Sequence, residues 1–387
     1  MRVLLVEPYL GGSHAQWAEG LRRHSGHEVV LVGHEGRYWR WRMRGGPVTL
    51  AERAAEAVAA HGRPDLVLVS GMTDLAAFCG LSRSWLGATP VALYLHESQL
   101  LHPRRPGDGT GVEGVFANWR SMVAADHVFV ATRYHREALL DALPAALAAV
   151  PDEPHGHLLE QVATRTSVLP VGVELTSLLG AQRPADDGGP PLVVWPHRWD
   201  HDKRPGALLR VLVALARAGV SFRLALAGAN ARVDPREFSQ AVTALGDRVV
   251  HVGHLPRSEY EALLLRSDVV VSTAAHEFFG IATVEAMAAG AVPLLPERLS
   301  YPELVPERYH PAVLYGHSLF DRLRTVLEDL PAARSRVAGL RESMRRWSWE
   351  QVGPAYDTRL ARLVRLAVAA DPTAPPVRPA PAAVRSS

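Results

Sequence analysis

The chain has 387 residues, of which 48% are apolar, so it is long enough for two domains with cores of their own. A net charge of +2 does not mark a nucleic-acid-binding protein, and the single cysteine excludes an internal disulfide and fits a reducing cytoplasm. No apolar run reaches the roughly 18 residues of a membrane span, and residues 1–10 predict a buried strand rather than a signal peptide. These features favour a cytoplasmic protein without an integral membrane segment.

Short apolar runs alternate with amphipathic segments along the first 180 residues, which is typical of a parallel sheet with crossover helices. The same alternation returns after residues 181–191, which are rich in Pro, Gly and Asp and predict a linker. The predicted strands are 3–6, 28–32, 66–69, 91–95, 127–130 and 168–169, followed by 192–195, 222–227, 249–252, 269–272 and 292–295.

The C-terminal end differs in composition from both halves. Residues 351–370 predict a helix, whereas residues 371–387 are rich in Pro and Ala and predict a disordered tail. The predicted organisation is therefore a first α/β domain over 1–180, the linker, a second α/β domain over 192–350, the helix and the tail. Two doubly wound, Rossmann-like domains of this kind face a central cleft with the carboxyl ends of their strands.

Residues 276–285 have the sequence HEFFGIATVE and follow a predicted strand. Glu277 stands at the strand end, and Glu285 lies eight positions further on, within a predicted helix. Two carboxylates suit a ligand with many hydroxyls, and the free N–H groups of a helix N-terminus suit a phosphate. A nucleotide sugar carries both kinds of group. The alternative is that both glutamates are solvated helix residues.

Residues 192–204 have the sequence LVVWPHRWDHDKR, in which a predicted strand leads into Arg198 and Lys203. Two cations at a strand end can clamp a diphosphate leaving group, since Arg offers a planar fork and Lys a mobile point charge. A solvated loop is the alternative here, because Asp200 and Asp202 lie in the same segment. Both motifs together, each after a strand, favour the nucleotide-sugar interpretation.

At this point the sequence resembles the retaining glycosyltransferases of family 4, which have the GT-B fold. It is similar, more narrowly, to the tRNA-queuosine α-mannosyltransferase family. The segments that carry this resemblance occur in order between residue 6 and about residue 304: VEPYLGGSHAQW, YWRWRMR, YLHESQL, WPHRWDHDK, AAHEFFGIATVEAMAAG and SYPEL. The resemblance implies transfer of mannose from GDP-mannose to queuosine in tRNA, and a C-terminal helix that crosses back to the first domain.

The resemblance also implies roles for single residues. His96 would lie beside the reacting sugar and, with Arg198, Lys203 and Glu277, would form the catalytic set. No metal or other cofactor is expected, because the two cations serve the diphosphate. Glycines and strand-end loops let a ligand approach the backbone, and the candidate donor-binding residues are Gly11, Gly12, Ser13, Gly228, Gly253, His254, Leu255, His276, Phe278, Phe279, Gly280, Ile281 and Glu285.

Residues 37–44 interleave arginines with Tyr and Trp, which suits phosphate contact combined with base stacking. The alternative is a helix or strand edge whose Trp side chains belong to the core. The candidate acceptor-binding residues are His14, Arg40, Trp41, Arg42, Glu97, Gln99 and Asn118. The expected partners are GDP-mannose and tRNA carrying queuosine. A lipid or small-metabolite acceptor, and a catalytically silent binding protein of the same fold, remain open as alternatives.

Overall fold

The computed structural model describes residues 1–103, 111–185, 187–228 and 235–370. The chain forms two compact units. Unit 1 comprises Met1–Gly172 together with the segment from Trp349 onward, and unit 2 comprises Val173–Ser348. Within the described ranges no helix is both long and apolar enough to cross a membrane. The tail predicted over 371–387 lies outside the described residues.

Unit 1 is built on one parallel sheet. Its strands are β1 (Arg2–Leu10), β2 (Glu28–Glu35), β3 (Leu66–Ser70), β4 (Val91–Leu95), β5 (His127–Val130) and β6 (Thr166–Val168). Its first helices are α1 (Gly12–His24), α2 (Trp39–His61), α3 (Leu75–Leu81), α4 (Arg83–Leu86), α5 (Gly111–Ala124), α6 (Arg133–Ala148) and α7 (Leu159–Thr164). The strand order is β2-β1-β3-β4-β5-β6, with every pairing parallel.

Unit 2 repeats this architecture with a second parallel sheet. Its strands are β7 (Leu192–Trp195), β8 (Arg223–Ala227), β9 (Val249–Gly253), β10 (Val269–Val271), β11 (Val292–Pro296) and β12 (Leu314–Tyr315). Its helices are α8 (Thr176–Gly180), α9 (Pro205–Arg217), α10 (Pro235–Leu245), α11 (Arg257–Arg266), α12 (Ile281–Ala288), α13 (Tyr301–Leu304), α14 (His310–Val313), α15 (Leu319–Glu328), α16 (Leu330–Arg336) and α17 (Leu340–Ser343). The order is β12-β11-β10-β7-β8-β9. The predicted α/β class of two doubly wound sheets is confirmed.

The last helix, α18 (Trp349–Ala370), belongs to unit 1. The Trp17 indole N–H donates to the Tyr356 hydroxyl at 2.9 Å, and that hydroxyl donates to the Pro170 carbonyl at 3.1 Å. The Trp349 indole packs so closely on α1 that a Cβ at Gly20 would lie 1.9 Å from its nitrogen. Aromatic packing and these hydrogen bonds thus attach the C-terminal helix to unit 1.

The passage between the units lies earlier than residues 181–191. The chain enters unit 2 at Val173, whose N–H donates to the Trp347 carbonyl at 2.8 Å, so the entry and exit points are adjacent. Residues after Val173 are already held to unit 2, because Arg341 donates to the carbonyls of Leu178 and Ala181, each at 2.6 Å. Composition marks the Pro- and Gly-rich segment as a linker but does not reveal these hydrogen bonds.

The strand orders locate the expected ligand sites. In unit 2 the chain runs from β7 outward to β9, then returns to the other side of β7 with β10. Loops after β7 and β10 therefore diverge, and a crevice forms outside their carboxyl ends, as is usual in doubly wound sheets. In unit 1 the corresponding change of direction lies between β1 and β3. Both positions carry residues that the sequence singles out.

Candidate active site

Lys203 joins the loops that follow β7 and β10. Its Nζ lies 3.1 Å from Glu277 Oε2 and 3.3 Å from Asp202 Oδ2, and it donates to the His276 carbonyl at 2.8 Å. The Ala275 N–H also donates to the Asp202 carbonyl at 2.7 Å. Lys203 is 8% exposed. The two predicted motifs therefore meet in one buried, charged cluster.

The charges of this cluster stabilise one another. Burial alone would lower the pKa of Lys203, but the carboxylates of Glu277 and Asp202 outweigh burial and hold that pKa above its usual value. Burial would raise the pKa of Glu277, and the ammonium of Lys203 reverses the effect and lowers it. Both groups are consequently charged at neutral pH, so the ion pair between Lys203 and Glu277 is formed there.

Arg198 has a different environment from Lys203. Trp195 and Trp199 on either side of it are buried in the core of unit 2, which leaves the Arg198 side chain exposed. It forms no ion pair with the described residues, yet it lies near enough for its charge to oppose protonation of Lys203. Arg198 is therefore available to a ligand, whereas Lys203 is largely engaged by the protein.

His197 is a site residue that the sequence analysis missed. It is 5% exposed, and burial together with the charge of Lys203 lowers its pKa to about 4. Gly228 at the end of β8 packs directly on it, because a Cβ there would lie 1.9 Å from the His197 carbonyl oxygen. Gly228, a predicted donor-binding residue, thus shapes the loop that carries both His197 and Arg198. The WPHRW motif was the available signal, but burial of a histidine does not follow from sequence.

The HEFFG segment ends at the N-terminus of α12. Gly280 is the N-cap, and its φ of +99° is a left-handed conformation that favours glycine. Phe278 and Phe279 are both 4% exposed and anchor the segment, while Ile281 is half-buried. The first turn of a helix leaves backbone N–H groups without intrahelical partners, which suits an anion. The predicted phosphate-binding segment therefore has the backbone that this role requires.

Glu285, a predicted donor-binding residue, lies inside α12 and is 3% exposed. Burial raises its pKa, an effect that Arg257 at the start of α11 opposes through an ion pair and a hydrogen bond. Tyr260 lies near enough to Glu285 to lower its pKa as well. Arg257 lies outside both motifs, so the sequence gave no reason to select it. The carboxylate is thus already engaged by an arginine.

The remaining candidates of unit 2 lie after β9 and β10. The Gly228 N–H donates to the Gly253 carbonyl at 2.9 Å, which joins the loops after β8 and β9. His254 is exposed, and Leu255 is half-buried. The His276 ring lies 4.5 Å from the ring of Phe278, and its carbonyl accepts from Lys203. Loops after four neighbouring strands thus contribute to the candidate donor site.

In unit 1 a carboxylate and two histidines lie together. Glu7 in β1 is fully buried, and its Oε2 lies 3.1 Å from His14 Nδ1. His96 follows β4, and its ring centroid lies 4.4 Å from that of His14. Burial lowers the pKa of His96 well below its usual value, so its ring is neutral. The structure therefore brings together His14 and His96, and it adds Glu7, which the sequence analysis did not select.

The loop after β4 is held by Asn118. The Asn118 Oδ1 accepts from the Gln99 N–H at 2.9 Å, and its Nδ2 donates to the Gly71 carbonyl at 3.2 Å. Glu97 and Gln99 are half-buried, with Gln99 Nε2 3.5 Å from Glu97 Oε1. Asn118 thus uses both ends of its amide to shape the loop that presents Glu97 and Gln99.

The first turn of α1 carries the other predicted strand-end loop. Gly11 is its N-cap, and Gly12 and Ser13 are exposed residues of the first turn, next to His14. Backbone N–H groups at this end of α1 have no side-chain cap from Gly11. The segment is therefore compatible with the predicted approach of a donor ligand to the backbone.

The described part of the chain contains two clusters of His and carboxylate side chains that could in principle hold a metal. Within each cluster the ligand atoms lie within 4.8 Å of one another. One is Glu7 with His14 and His96, and the other is Asp200 with its two following residues. Hydrogen bonds account for the Glu7 contact, and Lys203 for the carboxylate of Asp202. Metal independence stays a prediction.

The arginine and aromatic segment 37–44 lies at the start of α2, and its side chains are largely on the surface. Tyr38 is 75% exposed and Trp41 63% exposed, while Trp39 is half-buried under the Arg40 guanidinium at 5.3 Å from its ring centroid. Arg40 is exposed and Arg42 is half-buried. The alternative that these Trp side chains belong to the core is thus wrong for Trp41.

Comparison with known proteins agrees with this geometry. Residues 2–173 match the family described as tRNA-queuosine alpha-mannosyltransferase N-terminal, and residues 181–337 match glycosyl transferases group 1. The chain is 34% identical over 316 residues to the tRNA-queuosine alpha-mannosyltransferase of Drosophila melanogaster, covering 79% of this chain and 82% of that one. It is 28% identical over 160 residues to a GDP-mannose:cellobiosyl-diphosphopolyprenol alpha-mannosyltransferase of Xanthomonas oryzae pv. oryzae (strain PXO99A). This match covers 40% of this chain and 41% of that one.

A solved structure of Anabaena HepE in complex with UDP superposes with a TM-score of 0.67 at 17% identity, covering 94% of this chain and 100% of that one. Two doubly wound units, with a charged cluster at the strand ends of the second, define a glycosyltransferase of the GT-B fold. The extent of the match to the Drosophila enzyme settles the family. The chain belongs to the tRNA-queuosine α-mannosyltransferase family.

We expect His197→Gln to flatten the acid dependence of stability. The pKa of His197 is about 4 in the folded protein against an ordinary value of 6.5. Between these values the unfolded chain binds a proton that the folded protein does not, so stability falls as the pH drops. The full shift corresponds to roughly 3 kcal/mol at most.

The measurement is the free energy of unfolding in urea between about pH 7 and about pH 4.5. The His197→Gln protein should lose stability less steeply than wild type. His317→Gln, at an exposed histidine of the same unit, is the control and should keep the wild-type slope. A wild-type slope in His197→Gln would contradict a buried, neutral imidazole.

Proposed function

We propose that the protein is a retaining α-mannosyltransferase that transfers mannose from GDP-mannose to queuosine in tRNA, in the cytoplasm. Membership of the family and the name of the Drosophila relative support this acceptor. The name of the Xanthomonas relative supports this donor. The observation that carries the proposal is the contact between Lys203 and Glu277 at the carboxyl ends of β7 and β10.

Three groups of unit 2 would bind the donor diphosphate. Arg198 is exposed and supplies a planar fork for the phosphate oxygens. Lys203 adds a fixed positive charge, and the N–H groups at the start of α12 add hydrogen bonds. As GDP leaves, negative charge grows on its β-phosphate, and these preorganised groups stabilise it. Because protein cations serve the diphosphate, the reaction needs no metal.

The two glutamates would bind the mannose and the ribose of the donor. Glu277 accepts hydrogen bonds from mannose hydroxyls while Lys203 fixes its orientation. Glu285 accepts from the ribose within its ion pair with Arg257. His96 of unit 1 is neutral and orients a sugar hydroxyl by hydrogen bonding rather than as an acid. The acceptor hydroxyl attacks on the face that GDP leaves, and the departing phosphate takes its proton, so no protein nucleophile is assigned.

The direct test is mass spectrometry of tRNA nucleosides after incubation with GDP-mannose. We expect queuosine to gain one hexose, and we expect the reaction to continue in EDTA. Parallel incubations with UDP- and ADP-sugars should give little product. If queuosine stays unmodified while sugar is transferred to a lipid or metabolite extract, the proposed acceptor is wrong and the acceptor is a lipid or a metabolite. Loss of activity in EDTA that manganese or magnesium restores would overturn the metal-free mechanism.

The exposed surface of α2 would contact the anticodon loop of the tRNA. Replacing Arg40 and Trp41 with Ala removes a cation that meets phosphate and a ring that stacks on a base. We expect the affinity for tRNA to fall about tenfold or more. The slope of log K against log salt concentration should become shallower by about 1, because one phosphate contact is lost. Binding of GDP should not change, because both residues belong to unit 1.

Fluorescence anisotropy with labelled tRNA at several salt concentrations measures both quantities. Arg83→Ala is the control, since Arg83 is an exposed arginine of unit 1 far along the chain from α2. This control tests whether removal of any exposed arginine of unit 1 is enough to weaken tRNA binding. If the α2 variant binds tRNA as tightly as Arg83→Ala does, the segment 37–44 is not the tRNA contact.

A further inference from the structure

Glu7 is a buried carboxylate whose two oxygens have different partners. Its Oε1 accepts from the Tyr9 N–H at 2.9 Å, and its Oε2 lies 3.1 Å from His14 Nδ1. Glu7 is fully buried and His14 is 8% exposed. A carboxylate oxygen can only accept a hydrogen bond, so the hydrogen between Glu7 and His14 must be on Nδ1 of the imidazole.

When the His14 imidazole is neutral, this contact decides whether its other ring nitrogen donates or accepts a hydrogen bond. In a neutral imidazole with its hydrogen on Nδ1, the Nε2 atom carries a lone pair and is a hydrogen-bond acceptor. Carboxylates that fix a histidine tautomer in this way set what its far nitrogen can do. His14 lies in the first turn of α1, beside the ring of His96. The imidazole of His14 is thus held at the strand-end site of unit 1.

We propose that Glu7 is a positioning residue, which holds His14 in the Nδ1–H tautomer so that Nε2 accepts a hydrogen bond from a hydroxyl of the acceptor. This inference rests on the proposed function, in which the acceptor is queuosine, whose cyclopentene ring carries two neighbouring hydroxyls. The attacking hydroxyl gives its proton to the departing phosphate. The hydroxyl bound by His14 is therefore the neighbouring one, which does not react.

Glu7→Gln tests this role with almost no change of shape. An amide has one accepting oxygen and one donating NH₂. If the oxygen keeps the hydrogen bond from the Tyr9 N–H, the NH₂ faces His14 Nδ1, which must then accept. The imidazole hydrogen moves to Nε2, and the nitrogen that accepted from the substrate becomes a donor. A residue that only packs β1 against α1 would not cause this reversal.

The first measurement is the ¹⁵N spectrum of the histidine rings at about pH 8, where an ordinary imidazole is neutral. His14→Ala identifies the His14 resonances by their loss. We expect Nδ1 to be protonated in wild type and Nε2 to be protonated in Glu7→Gln. An Nδ1–H tautomer in both proteins would overturn the inference whatever the activity. So would stoichiometric zinc bound by wild type and lost from His14→Ala, because a metal would then replace the hydrogen bond.

The second measurement is steady-state kinetics with queuosine-containing tRNA. Loss of one hydrogen bond should raise the acceptor KM about 3- to 10-fold in both Glu7→Gln and His14→Ala, while the donor KM stays within about twofold. The double variant should be no worse than His14→Ala, because Glu7 acts through His14. Glu19→Gln, the same change at a half-buried glutamate of α1 that pairs with Arg22, is the control and should match wild type.

The outcomes separate the inference from the proposed function. Additive effects of the two single variants, or an unchanged acceptor KM, would overturn the role of Glu7 while leaving the function intact. If wild type does not modify queuosine, the proposed function fails, and the ring spectra still decide the tautomer. Should Glu7→Gln not fold, the acceptor KM of His14→Ala still decides whether this histidine binds the acceptor.

Discussion

A single buried ammonium holds the candidate donor site together. Lys203 contacts two carboxylates and a carbonyl, and through them it links the loop after β7 to the loop after β10. The Thr273 hydroxyl adds a hydrogen bond to the Lys203 carbonyl at 2.8 Å. Such a buried charge tolerates neither loss of its partners nor a shift of either loop, since an unpaired charge in the interior is costly. The position of Glu277, and the start of α12 beyond it, follow from this contact.

Each unit holds one side chain in place with a carboxylate, but the chemistry of that side chain differs between the units. In each, a carboxylate near a strand end contacts a nitrogen-containing side chain: Glu277 contacts Lys203 in unit 2, and Glu7 contacts His14 in unit 1. The ammonium is a permanent cation suited to phosphate, whereas the imidazole offers a directed lone pair suited to a hydroxyl. This difference matches the proposed division of labour, with the donor on unit 2 and the acceptor on unit 1.

Much of the fold follows from sequence, because fully buried parallel strands appear as short apolar runs that the chain repeats at regular intervals. The same pattern placed Glu277 and Lys203 at strand ends, where ligands bind. It could not distinguish the buried Lys203 from the exposed Arg198, since that depends on two Trp side chains entering the core. Glu7 and Arg257 were missed for a related reason: each acquires its role from a partner that only the tertiary structure brings near. The exposure of Trp41 was likewise not decided by composition.

The most direct test of the central contact is a double-mutant cycle between Lys203→Met and Glu277→Gln, with the free energy of unfolding in urea as the readout. If the ammonium and the carboxylate fix the two loops as described, each single change leaves a buried charge with fewer partners, and the double change relieves part of that cost. The account predicts a coupling energy of at least about 1.5 kcal/mol between the two positions. Effects of the single changes that add to within about 0.5 kcal/mol would contradict it.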